Sequence, residues 1–195
     1  LVSALMYTNP MMIYFGQELG EKGMDAEGFS GEDGRTTIFD YWTVDTIRRW
    51  RNNGKFDQKL LTEDELSLQE YYAKVLNICN SSEAVREGEF YDLMYVNPQL
   101  QKQYTFVRHS EKETLLVIAN FASQDTEITI NVPEHLFEYY GIKENTACEW
   151  TDLLSGSQIT TAFSSNMPTK LNVPSWGGCI LKMKSVKKAG KKTKS

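Results

Sequence analysis

Five apolar side chains in a row, Met11–Phe15, run directly into Gly16, Gln17 and Glu18. An amide and a carboxylate at the end of such a run suit a strand that carries polar groups to the rim of a fold. In parallel α/β barrels the chemistry sits at the carboxyl ends of the strands. Glycine at position 16 permits the sharp turn that the change of character requires. Gln17 brings both donors and an acceptor, and Glu18 an acceptor or an acid; either residue equally serves to hold loop backbone. Other chemistry-bearing residues are scattered. His109 and His135 have no partner at a motif spacing and read as ordinary surface or strand positions. Cys79, Cys148 and Cys179 lie far apart with no C-x-x-C pair, which excludes the usual zinc spacings. Cys79 and Cys179 fit small buried hydrophobes.

The composition bounds the rest. Apolar residues make up 41% and charged residues 24% of 195, a balance that suits a globular protein. No stretch approaches the roughly 20 apolar residues of a membrane helix, so no span is expected. The net charge of −5 hides five lysines in the last eleven residues, leaving −10 on the remainder. That body repels nucleic acid, and the basic tail reads as a disordered, solubilising end. The opening "LVSALMYTNP" has neither an initiator methionine nor a basic-then-apolar leader. It reads as an interior cut with any targeting signal upstream, so the compartment is unknown.

The elements that must position these residues follow from periodicity. Residues 1 to 8 suit the end of an apolar helix stopped by Asn9-Pro10, and Met11–Phe15 a parallel strand covered on both faces. A long polar stretch from Gly20 to Trp42 follows, of a length usually found in functional loops. Val44, Ile47 and Trp50 are three apart, as on one helix face. Thr62 and Glu65 have capping-box spacing ahead of the stripe Leu68, Tyr72, Val75, Leu76 and Cys79. After about residue 90 the period becomes that of strands: around Tyr104 and Phe106, then "TLLVIANF", Ile128–Val132, "CEWTDLL", "SQITTAF", "KLNVP" and "CILKMK". About seven short strands with turn signals between them suggest an antiparallel sandwich, with a boundary near residues 86 to 92.

The strings "YTNPMMIYFGQELG", "GRTTIFDYW", "YYAKVLNICNSSEAVREGEF", "LLVIANFAS" and "VPSWGGCILK", in this order, resemble the carboxyl-terminal part of alpha-amylase-type enzymes of glycoside hydrolase family 13. The resemblance implies a mixed fold: the last strand and helix of a (β/α)8 barrel, then an antiparallel β-sandwich. Residues 1–88 would be the end of the catalytic barrel, 89–186 the sandwich called domain C, and 187–195 the tail. It implies retaining cleavage of α-glucosidic bonds, with an α-glucan or maltooligosaccharide as substrate. The family's three carboxylates precede the eighth strand, so no catalytic residue is assigned to this chain. No cofactor or metal is assigned to it either; calcium belongs, if anywhere, to parts of the parent outside it. Neither nucleic acid nor a membrane is an expected partner.

Three residues remain as candidate sugar contacts: Arg35, Gln17 and Glu18. Arg35 falls where the family's R-x-P-M loop places an arginine near the cleavage point, although Thr37 and Ile38 replace the proline and methionine. The alternative is a loop salt bridge with Glu32 or Asp33. Asp40, Tyr41 and Trp42 combine an acid with aromatic faces, and Trp150 and Trp176 can form a surface sugar site, but core packing is the default reading for these rings. Two other functions stay open, a glucan transferase of the same family and a non-catalytic carbohydrate-binding or structural module.

Overall fold

The computed structural model describes residues 1–21 and 45–184. Its contacts form two compact units, Pro10–Asn77 and a larger one in which Leu1–Asn9 joins the chain from Ile78 onward. The expected cut at residue 88 therefore does not coincide with the division of contacts. The reason lies in a buried arginine and an apolar cluster that fasten residues 1–9 and 78–88 onto a sheet.

In the larger unit the strands are β1 (Glu89–Asp92), β2 (Gln103–Ser110), β3 (Glu113–Asn120), β4 (Thr126–Ile130), β5 (Asn145–Asp152), β6 (Gln158–Phe163), β7 (Thr169–Val173) and β8 (Gly178–Met183). Six of them form an antiparallel sheet in the order β1-β2-β3-β8-β5-β6, and β4 pairs with β7 in a second sheet. The helices are α1 (Val2–Leu5), α2 (Asp45–Arg51), α3 (Glu63–Ser81), α4 (Glu83–Arg86) and α5 (Glu134–Tyr140). The alternation read from the sequence is the division of the core. Cys179 and Leu181 join Leu116, Ile118, Ile128, Ile130 and Trp150 between the sheets. Ile180, one residue out of phase, faces the other way with Phe106, Leu115 and Val117 onto Leu5, Ala84 and Val85. All eight residues of β3 are buried because both faces of the large sheet are covered.

Ionic groups hold α4 at this second face. Glu113 accepts from Ser82 Oγ at 2.5 Å and from the Ala84 N–H at 3.1 Å, and its other oxygen lies 2.6 Å from Lys182 Nζ. Burial pushes the Glu113 carboxyl up, but the contacts with Lys182, Ser82 and the Ala84 N–H outweigh it and leave it below its ordinary value of 4.5. A depressed carboxyl gives stability that is complete above the unfolded-state pKa and lost as pH falls through the folded one. Glu113→Gln is expected to cost about 1.5–3 kcal/mol near neutral pH, the range for hydrogen bonds to a charged group. Urea midpoints of parent and variant should converge as pH drops below 4.5; a gap that does not change with pH would contradict the assignment.

In the Pro10–Asn77 unit, the capping box at the start of α3 is formed as expected: the Thr62 N–H donates to Glu65 Oε2 at 2.9 Å, and the Glu65 N–H to Thr62 Oγ1 at 3.3 Å. Glu65 is buried, and its carboxylate also receives Arg49 Nε of α2 at 3.0 and 3.1 Å. One side chain therefore caps a helix and fastens two helices together. Leu68, Tyr72 and Leu76 of the stripe are half-buried and Val75 is buried outright; Cys79, its last member, belongs to the larger unit. The expected strand at Met11–Phe15 is the element the structure does not form. Strands exist through their ladders, and no described residue pairs with this run. It is not covered on both faces either: Met12 is 83% exposed and Tyr14 42%.

Candidate functional site

Gly16 turns the chain after the apolar run. Its φ of 72° lies in the left-handed region, and an added Cβ would meet the Glu21 side chain at 2.7 Å. A 3-10 turn, Gln17–Leu19, follows and closes at Gly20 with φ 69°. Gly16 accepts through its carbonyl from the N–H groups of Leu19 and Glu21, both at 3.0 Å. Leu19 is buried beneath the turn.

Gln17 is a brace within this turn. Its Oε1 accepts from the Tyr14 N–H at 3.1 Å, and its Nε2 donates to the Tyr72 hydroxyl on α3 at 2.8 Å. Both ends of the amide are engaged, which ties the turn to the helix. Glu18 is half-buried on the same turn. Glu21, three residues on, accepts from Thr46 Oγ1 of α2. The structure thus brings Gln17 and Glu18 together on a turn packed by α3. Arg35, with Glu32 and Asp33, lies outside the described residues, as do Asp40, Tyr41 and Trp42.

Trp150 and Trp176 do not form a surface pair. Trp150 has no exposed surface and lies between the sheets, whereas Trp176 is 72% exposed on the turn before β8, with φ 48°. Core packing, the default reading, holds for Trp150, which strand alternation points inward, so only the Trp176 indole reaches solvent and the two form no surface sugar site. The histidines are not isolated either. His109 Nδ1 lies 2.8 Å from Thr114 Oγ1, and His135 Nδ1 lies 3.0 Å from the Tyr91 hydroxyl. Both sit among tyrosine rings, a grouping the sequence reading missed. The signal was present in "VPEHLFEYYGI": proline before, glycine after, and His135 and Tyr139 four apart, as on one helix face.

Chemically, the described residues offer no activated thiol. Burial pushes the Cys148 thiol up to about 11 and the Cys179 thiol up to about 12. No group of three or more His, Cys, Asp or Glu side chains among the described residues could hold a metal ion. No described helix is long and apolar enough to cross a membrane.

No family model and no curated protein matches the sequence. Solved structures do match the fold. AmyP in complex with maltose superposes with a TM-score of 0.60 over 96% of this chain and 34% of its own, at 15% identity. A variant of AmyP in complex with maltotriose gives 0.60 over 94% and 33%, at 14% identity. An alpha-amylase from Anoxybacillus gives 0.44 over 68% and 26%, at 17% identity. The chain spans about a quarter to a third of the length of these structures. At such identities the likeness is one of fold: a few helices and an antiparallel sandwich, as the sequence led us to expect.

Proposed function

We propose that this chain is the carboxyl-terminal part of an alpha-amylase-type retaining glycoside hydrolase, contributing the last barrel elements and domain C. The observation that carries the reading is the fold shared with AmyP over 96% of the chain; AmyP was solved with maltose bound, and an α-glucan is the substrate we infer for the parent. The "GQE" turn, braced by Gln17 against Tyr72 of α3, supports it. The parent's upstream carboxylates would perform the two displacements at the anomeric carbon, one as nucleophile and one as acid and then base. In this reading Gln17 acts by holding the rim turn, while Glu18 and Arg35 face the sugar. A guanidinium suits that place because its fixed fork can bind two hydroxyls or orient a carboxylate.

The whole protein encoded with this chain, incubated with maltoheptaose, is expected to give shorter products that retain the α configuration. Longer or branched products would make it a transferase, and an inert parent would leave the sandwich a non-catalytic module. Arg35→Ala in that protein should lower kcat/KM by about tenfold to a hundredfold, the worth of one hydrogen bond to a charged group, without moving the melting temperature. An unchanged kcat/KM would remove Arg35 from the site.

A further inference from the structure

A cleft of about 650 Å³ opens on the sandwich between β1, the β2–β3 turn and α5. Tyr140 and His109 form its floor, with ring centroids 4.4 Å apart, and Tyr139 packs edge-on against Tyr140 at 5.0 Å. The aromatic surface continues beyond the cleft. Tyr140 meets Tyr91 at 5.9 Å, Tyr91 meets Tyr95 at 6.4 Å, and His135 stacks on Tyr139 at 5.8 Å with 19° between planes. Six rings are contiguous, and three of them are open to solvent: Tyr95 is 61% and Tyr139 58% exposed, and His135 is exposed beside Tyr139. Single exposed aromatics need no explanation, whereas a contiguous patch does.

The rings are held in place before anything binds. The Tyr95 and Tyr91 hydroxyls are 2.9 Å apart, and the Tyr91 hydroxyl reaches His135 Nδ1 at 3.0 Å. Glu89 lines the cleft beside Tyr139, and its carboxylate holds the Tyr139 phenol above its ordinary value. Fixed rings lose little freedom on binding, which favours a weakly polar ligand with flat faces. Two of the four carboxylates that line the cleft are paired at its edge, Glu83 with Lys112 at 2.9 Å and Glu87 with Arg86 at 3.8 Å, while Glu89 and Glu111 keep acceptor oxygens at the rim. What remains at the rim is a set of oxygen acceptors, and at the floor an imidazole whose Nδ1 is already taken by Thr114. Burial lowers the pKa of His109, so the ring is neutral at physiological pH and adds no charge.

We infer that this cleft and its aromatic rim hold a neutral oligosaccharide, one sugar face lying on Tyr139 and its hydroxyls donating to the neighbouring carboxylates. Sugars present apolar C–H faces and hydroxyl edges, and the surface offers flat rings bordered by acceptors in the same arrangement. The choice of an α-glucan as the ligand rests on the function proposed above.

The test is a titration of the 195-residue chain with maltoheptaose, followed by NMR of the tyrosine rings. Saturable shifts at Tyr139 and Tyr95 are expected. Tyr139→Ala and Tyr95→Ala should each weaken binding roughly threefold to tenfold, the worth of one aromatic contact, at unchanged melting temperature, since both side chains are largely exposed. Binding that survives both substitutions would overturn the inference, as would the absence of any saturable shift. So would saturation by a lysine peptide with none by the glucan, which would make the cleft a cation site. The two proposals fail separately: a parent that cleaves glucan while this chain shows no shift loses only the cleft, and an inert parent whose sandwich binds loses only the enzyme.

Discussion

Replacing Arg108 with methionine is expected to destabilise the sandwich unit by about 3 kcal/mol or more, since each buried acceptor left without a donor costs roughly 1–3 kcal/mol. Arg108 lies on β2 with its side chain on the Phe106 face, and only 2% of it is exposed. No carboxylate pairs with it among the described residues. Its guanidinium instead donates to four main-chain carbonyls: Ala84 at 3.0 Å, Val85 at 2.9 Å, Gly88 at 2.8 Å and Met6 at 3.0 Å. Ala84 and Val85 lie in α4, whose last carbonyls have no partners within the helix and carry its negative end. Burial lowers the pKa of Arg108, but a guanidinium starts so high that it stays charged. Methionine would fill much of the stem's volume while leaving four acceptors without a donor. Arg108→Lys should recover part of the loss, because an ammonium supplies three donors but not the planar fork. The urea midpoints of the three proteins decide the matter. A methionine variant within about 0.5 kcal/mol of the parent, the range of an ordinary surface change, would mean the carbonyls find other partners.

That contact also explains what the sequence could and could not disclose. The Thr62–Glu65 cap was legible because both partners lie within one turn, and β4 and β8 because alternation with period two needs no knowledge of the partner strand. Gly88 was legible as an exit, but its reason is tertiary: a Cβ there would sit 2.4 Å from the carbonyl oxygens of both Ala84 and His109. Arg108 gave no sign of its role, since its partners are main-chain atoms up to 102 residues away that no side-chain pattern marks. Met11–Phe15 is the converse case. An apolar run states that a segment prefers cover on both sides, not which strands supply it, and among the described residues none does. The turn at Gly16 was legible because its geometry is local. The cluster around His109 and His135 was missed because α5 was overlooked, although Pro133 and Gly141 bracket it as helix boundaries.

Trp150→Ala should be the most damaging single change in the core, costing about 3–5 kcal/mol, the usual range for an aromatic truncated to a methyl group. The indole lies wholly between the sheets on β5, perpendicular to Phe163 at 5.2 Å; Phe163 in turn meets Phe137 of α5 at 5.1 Å. Removing it would leave a void shared by β5, β6 and α5, three elements that do not collapse onto one another easily because their backbones are fixed by ladders and a helix. Trp150→Phe separates the possible reasons for the loss. The indole N–H is buried without a hydrogen-bond partner among the described residues, so phenylalanine discards an unsatisfied donor while keeping most of the ring. Its cost should stay below about 1.5 kcal/mol, as for a near-conservative core exchange. The measurement is thermal unfolding of the three proteins alongside their retardation in starch-affinity gels. Alanine lowering the midpoint steeply and phenylalanine hardly at all, with retardation unchanged in the phenylalanine variant, is the expected result. A folded, thermally unaltered alanine variant that had lost retardation would put Trp150 back on the surface and overturn the packing described for the whole interior.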